Sequence, residues 1–215
     1  MIDDALAAWN ANEALSDAVV VDRTGHGWDI TLTGTNAVRN AGGRTGMALT
    51  KNGATMMALP SGLLAPSQTT ARTMMCWVKG TGTTWILRHQ VNAINSGSWG
   101  LLHVSGNASV QARTTASGAI RAGGTMPADG LWHHYCATYD NVNLRFYLDG
   151  VLKQTTALAG PLRTDADQFD AMEWTTSTTL IGDPRLYVRD LSLAEVNEAM
   201  NEAVQNPGGF FAAAA

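Results

Sequence analysis

Residues 143–154 constrain the fold of this chain more than any other stretch. Asn143–Leu148 alternates apolar and polar side chains, so a β-strand puts Leu144, Phe146 and Leu148 on one face and Asn143, Arg145 and Tyr147 on the other. Asp149-Gly150 follows directly, and then Val151-Leu152-Lys153-Gln154. Asp-Gly between two β runs predicts a two-residue type I′ hairpin, which needs positive φ at both central residues. An antiparallel sheet with one apolar face is therefore required, and that face must be covered.

The pattern continues along the chain. Candidate strands are Ala18–Asp22, Ile30–Thr33, Met47–Leu49, Thr73–Lys79, Thr84–His89, Trp99–Val104, Ser109–Thr114, Trp132–Tyr139, Thr179–Gly182 and Arg185–Arg189, separated by Gly, Asn, Asp and Ser turn signals. Their Thr, Val, Trp, Tyr and Leu suit a half-buried pleated surface. One helix is expected, at the end. Ser192-Leu193-Ala194-Glu195 reads as a capping box, Leu193, Val196, Met200 and Val204 recur on one face, and Asn206-Pro207-Gly208-Gly209 stops it.

With 215 residues, 45% apolar and 15% charged, the chain fits one large β domain without disulfide or metal staples. The net charge is −4 and no Lys/Arg cluster occurs, so nucleic acid is excluded as an expected partner. No apolar run approaches the ~20 residues that span a bilayer, so no membrane insertion is expected. The start, Met1-Ile2-Asp3-Asp4-Ala5-Leu6, has acids where a signal peptide carries Lys or Arg. The expectation is a chain made in a host cytoplasm, with secretion or a cell-surface location as the alternative.

Five stretches, in order, resemble the LamG-like, concanavalin A-like lectin/glucanase domains, to which the pentraxins are related. Gly130-Leu131-Trp132-His133-His134-Tyr135-Cys136-Ala137-Thr138-Tyr139-Asp140 is similar to their "W-H-H-v-a-a-T-Y-D" strand, and Leu144–Val151 to the "L-r-l-Y-v-D-G-v" hairpin. Met75-Cys76-Trp77-Val78-Lys79 resembles "i-s-a-W-V-k". Ala8-Trp9, Asp22–Gly27 and Leu32-Thr33-Gly34 resemble the opening motif, and Leu186–Glu195 the closing one. The resemblance implies an all-β, two-sheet antiparallel jelly-roll sandwich with a short C-terminal helix, occupying residues 1–206 and followed by a tail at 207–215. The Leu180–Arg185 region is shorter than in the family, and Asp165–Trp174 is an addition, so the family's calcium-related loops do not carry over.

Catalysis has no motif to rest on. Glycosidases of this fold need two carboxylates ~5–9 Å apart on a groove, and their Glu-x-Asp-x-Glu arrangement is missing. Of the five Glu, three (Glu195, Glu198, Glu202) fall on the terminal helix. No nucleophile-elbow motif occurs either. The adjacent His133 and His134 point to opposite faces of a strand, so one should pack inside and the other meet solvent. Asp165, Asp167, Asp170 and Glu173 are calcium candidates, read as a loop supplying oxygen ligands, against a solvated acidic loop. No cofactor other than that calcium is expected.

The resemblance to pentraxins, where the two corresponding strands are joined by a disulfide, places Cys76 and Cys136 as neighbours; a disulfide and two buried thiols are both compatible with that. Of the seven Trp, Trp9, Trp77 and Trp132 fall in family motifs and are expected in the core. Trp28, Trp85, Trp99 and Trp174 are the carbohydrate-platform candidates, each weighed against simple core packing. Phe210 and Phe211, beyond Gly208-Gly209, are the candidate assembly contact.

Two functional expectations follow. One is a non-catalytic bacteriophage virion component, a capsid decoration or tail-associated protein, contacting other virion subunits, homo-oligomeric, and with a lectin-like face for glycans. The other is a stand-alone bacterial lectin. A glycoside hydrolase is the third reading, and it lacks a carboxylate motif.

Overall fold

The computed structural model describes residues 4–10, 19–31, 37–44, 46–51, 57–59, 71–82, 84–90, 97–162, 168–173 and 179–202. In chain order the strands are β1 (Ala7–Ala8), β2 (Val19–Val20), β3 (Ile30–Thr31), β4 (Ala37–Gly43), β5 (Gly46–Lys51) and β6 (Met57–Leu59). Then come β7 (Arg72–Lys79), β8 (Thr84–Gln90), β9 (Gly97–Val104), β10 (Asn107–Ala112) and β11 (Ile120–Thr125). The remainder are β12 (His133–Tyr139), β13 (Asn143–Leu148), β14 (Val151–Ala157), β15 (Gln168–Glu173), β16 (Leu180–Tyr187) and the helix α1 (Leu193–Asn201).

The strands form two antiparallel sheets face to face. The larger runs β14-β13-β12-β7-β16-β5-β4 with β1 also on β16; the smaller runs β11-β10-β9-β8-β15-β6; β2 and β3 pair separately. This is the expected all-β jelly-roll. Leu144, Phe146 and Leu148 lie in the inter-sheet core as the alternation predicts, beside Met74, Cys76, Trp99, Leu101 and Val110. Asp149 (φ 51) and Gly150 (φ 72) make the positive-φ hairpin turn. The capping box is present, with the Glu195 N–H donating to Ser192 Oγ and the Ser192 N–H to the Glu195 carboxylate.

The structure departs from the sequence reading at one interior strand and at several strands that local pattern did not reveal. Thr179–Gly182 and Arg185–Arg189, expected as two strands, are one strand with a bulge between Gly182 and Arg185. Pro184 sits inside that bulge, where the missing N–H costs no ladder bond. Strands β1, β4, β6, β11 and β15 carried too little alternation to be read locally. The sandwich is tied at one edge through side chains: the Gly123 N–H donates to Gln154 Oε1 at 2.8 Å and Thr156 Oγ1 to the Arg121 carbonyl at 3.1 Å. At the centre, His103 Nε2 meets Tyr135 Oη at 2.8 Å and the Tyr135 ring packs edge-on against Phe146. Residues 203–215, including the tail boundary and Phe210 and Phe211, lie outside the described residues.

Helix α1 packs on the outer face of the larger sheet. Val196 and Ala199 meet Met75, Cys136, Tyr147 and Tyr187 there in a second apolar cluster. Buried Arg185 reaches from β16 to the helix C-terminus, donating from NH1 to the Ala199 carbonyl at 2.9 Å and from NH2 to the Glu202 carbonyl. No basic side chain lies in the helix's own last turn, so Arg185 serves the orphan carbonyls there.

Candidate functional site

The helix covers only part of that outer face. Further along it, β7, β12 and β16 bring together residues that local sequence reading assigned elsewhere. Along β7 the inward residues are Met74, Cys76 and Val78, so Trp77 points out. Trp77 pairs with His134 on one side and with Gly182 on the other. Trp77 and Trp132 are both partly exposed, which corrects their expected place in the core; Trp9 alone of the three is fully buried. Gly182 forms the floor: a Cβ built there would lie 3.5 Å from Trp132 Cζ3 and 3.7 Å from Trp77 Cβ.

Arg44, in the turn between β4 and β5, lays its guanidinium over Trp77 with Cζ 3.9 Å from the ring centroid. Its NH1 stands 3.8 Å from Asp183 Oδ2, an ion pair too long to be a hydrogen bond. The bulge puts Asp183 there, with φ at 46° in the left-handed region. On the other side of Trp77, the His134 ring packs edge-on at 5.3 Å between centroids. His134 is 2% exposed, and its Nδ1 has no hydrogen-bond partner among the described residues. Burial, helped by the charges of Arg185 and Arg44, lowers the His134 pKa to about 3, so the ring is neutral.

The expected division of the two histidines holds with a twist: the buried one lies on the outer face. His133 is the wetter one, held between Asp149 Oδ2 at 2.8 Å and Asp129 Oδ1 at 3.0 Å. Partial burial disfavours its charged ring, yet the two carboxylates outweigh that and raise its pKa.

Trp99 is 1% exposed in the core and offers no ring to a ligand, a correction to its place among the platforms. Trp28 is partly buried against the core, and its carbonyl accepts from Trp9 Nε1 at 2.7 Å. Trp85 is half-buried on the smaller sheet, where a Cβ at Gly100 would touch its Cζ3 at 3.0 Å and Arg88 Cζ lies 5.3 Å from the ring centroid. Trp174 lies outside the described residues, as do Asp165 and Asp167. Asp170 and Glu173 belong to β15, in register with Arg88 and Trp85 of β8, so this part of the acidic segment is a paired strand and not the loop expected. Among the described residues no group of three or more His, Cys, Asp or Glu is arranged to hold a metal. No helix among them is long and apolar enough to cross a membrane.

Cys76 and Cys136 are on adjacent strands, as the pentraxin resemblance implies. Their register is not: Cys76 pairs with Tyr135 and Cys136 with Met75. One step of offset sends the side chains to opposite faces, Cys76 into the inter-sheet core and Cys136 under the helix. The disulfide is thereby excluded, and burial raises both thiol pKa values.

Two antiparallel sheets, a Gly-floored outer face and the terminal helix accompany a match of residues 50–197 to the Laminin G family described as the concanavalin A-like lectin/glucanases superfamily. The chain belongs to this superfamily. Solved structures with the same fold include the binding domain of Paraclostridial Mosquitocidal Protein 1, with a TM-score of 0.73 at 12% identity, covering 94% of this chain and 53% of that one. The binding domain of botulinum neurotoxin serotype G has a TM-score of 0.71 at 16% identity, covering 90% and 50%. A botulinum neurotoxin DC binding domain, solved in complex with rat synaptotagmin II, has a TM-score of 0.63 at 12% identity, covering 93% and 52%. The lectin-like chain thus spans about half the length of these binding domains. No curated protein sequence matches it.

Proposed function

We propose that this superfamily member is a non-catalytic binding module that takes a saccharide on the outer face of its larger sheet. The observation that carries the reading is the partly exposed Trp132–Gly182–Trp77 arrangement with Arg44 stacked on it. An indole face and its N–H edge suit the apolar face and rim hydroxyls of a sugar ring, and a partly preformed aromatic surface lowers the ordering cost of binding. The fold of toxin binding domains supports a binding role without identifying a ligand. Two carboxylates elsewhere serve structural tasks: Asp140 pairs with Arg145 at 2.7 Å, and Asp22 accepts the Ala8, Thr24 and Trp28 N–H groups.

Display on a bacteriophage particle is the setting we propose, because a rigid two-sheet frame that presents loops and one sheet face suits attachment to a particle. A free-standing lectin is the alternative setting. Glycan-array binding by the purified chain, with Trp132→Ala as control, tests the module; incubation with the same glycans should release no reducing ends. Binding indifferent to Trp132→Ala, or hydrolysis, would overturn the reading. Co-sedimentation with particles separates the two settings.

A further inference from the structure

Resting on that reading, we infer that the saccharide taken at this face is acidic, with a carboxylate held by Arg44. Four features of the site converge on this ligand chemistry. The Arg44 guanidinium lies over Trp77 with Cζ 3.9 Å from the ring centroid, a contact that holds it at this face and that guanidinium groups form while still donating to carboxylates. The side chain is 27% exposed, so a ligand can reach it. Asp183 Oδ2, on a side chain 2% exposed, stands 3.8 Å from the guanidinium, beyond hydrogen-bond distance, so this ion pair partly balances the charge without engaging an Arg44 N–H. The partly exposed Lys79, on the same face as Trp77, adds a second cation to this side of the sheet, whereas buried Arg185 is paired with Glu202 at 3.6 Å.

A sugar carboxylate can accept two parallel N–H bonds from such a fork, the strong charge-assisted geometry that a neutral hydroxyl cannot match. Trp132, which precedes β12 and reaches across β7 to Gly182 of β16, is placed to take the ring of the same sugar. A neutral sugar would use only the aromatic surface and would leave the arginine with its long pair to Asp183.

Tetragalacturonate and sialyllactose are suitable acidic probes, with cellotetraose and lactose as their neutral counterparts. The titration follows indole fluorescence of the intact chain, for which Trp77 and Trp132 are on-site reporters. At least one acidic probe should bind about tenfold or more tighter than its neutral counterpart, and the gap should shrink as salt is raised. Arg44→Gln should abolish the difference, and Arg44→Lys, which keeps the charge but not the fork, should restore only part of it. Thermal unfolding of each variant identifies any that is misfolded, and Arg44→Lys then stands as the informative substitution. Equal affinity for acidic and neutral probes, still sensitive to Trp132→Ala, would overturn the acidic preference and leave the binding module intact. Affinity for no probe at all would count against both.

Discussion

Cys76 and Cys136 sit on paired strands one residue out of register, on opposite faces of the same sheet. A disulfide needs Cβ atoms about 3.5–4.5 Å apart with converging directions, and side chains on opposite faces diverge. Two thiols should therefore titrate with Ellman's reagent in denaturant, and close to none in the native protein, because burial both shields them and raises their pKa values. A mass two daltons below the reduced chain after air oxidation would contradict the register.

Phe146 fills the inter-sheet core with no exposed surface and packs edge-on against Tyr135, ring centroids 5.8 Å apart. Phe146→Ala should destabilise the domain by about 3–5 kcal/mol, through lost transfer energy and the cavity left behind. Urea unfolding measures it, and a loss below about 1 kcal/mol would mean that the face is not packed.

Arg72 is the opposite case. At the start of β7 it is 1% exposed, and Nε, NH1 and NH2 all lack a hydrogen-bond partner among the described residues. Desolvation lowers its pKa to about 10. A charge buried without compensation is a net cost, so Arg72→Met should stabilise the fold by roughly 1–4 kcal/mol. A destabilised variant in the same urea assay would show that the guanidinium is paired in solution.

What was legible in the sequence was what depends on near neighbours in the chain. The Leu144–Phe146–Leu148 face, the Asp149-Gly150 turn and the Ser192–Glu195 box each involve residues at most four apart, and local sterics decide them. The candidate site depends on register instead. Trp77 was expected in the core because it falls in a family motif, but its direction follows from Cys76 and Val78 taking the inward positions. Arg44 meets Asp183 only because β5 and β16 pair and a bulge turns Asp183 outward. The one available signal was Asp183-Pro184, since a proline within a strand marks a bulge. The cysteines show the same limit: the family resemblance placed their strands side by side, and a one-residue offset, invisible locally, separated their side chains.

The histidines should give stability a pH dependence of two signs. His134 and His103 have pKa values lowered to about 3 and about 4, chiefly by burial. Their neutral forms favour the fold above their unfolded value of about 6.5. That contribution is lost as pH falls from there toward the folded values, by up to about 1.4 kcal/mol per pH unit for each group. His133 is raised, so its contribution is complete below about 6.5 and disappears as pH rises through the folded value; being partly exposed, it is worth less than about 1 kcal/mol. Between pH 6.5 and 4.5, His134→Gln should flatten the measured slope, whereas His133→Gln should lose most at pH 6 and little at pH 9. Parallel pH curves for wild type and both variants would refute these assignments.

The first and last turns of α1 are held by different means. At the start, Ser192 and Glu195 form a cap from residues three apart in the chain. At the end, the carbonyls of Ala199 and Glu202 depend on Arg185, which arrives from β16 and is itself buried. Arg185→Met keeps most of the side-chain volume but leaves those acceptors unserved, a cost of about 1–3 kcal/mol. The loss should be local, because Val196 and Ala199 pack on the outer cluster and not on the inter-sheet core. Hydrogen exchange should therefore accelerate across 193–202 in the variant while β12 and β13 keep their protection. Ser192→Ala should fray the first turn without releasing the last. If Arg185→Met leaves exchange in α1 unchanged, apolar contacts alone hold the helix; if it speeds exchange equally in β12 and β13, the helix and the sandwich unfold as one unit.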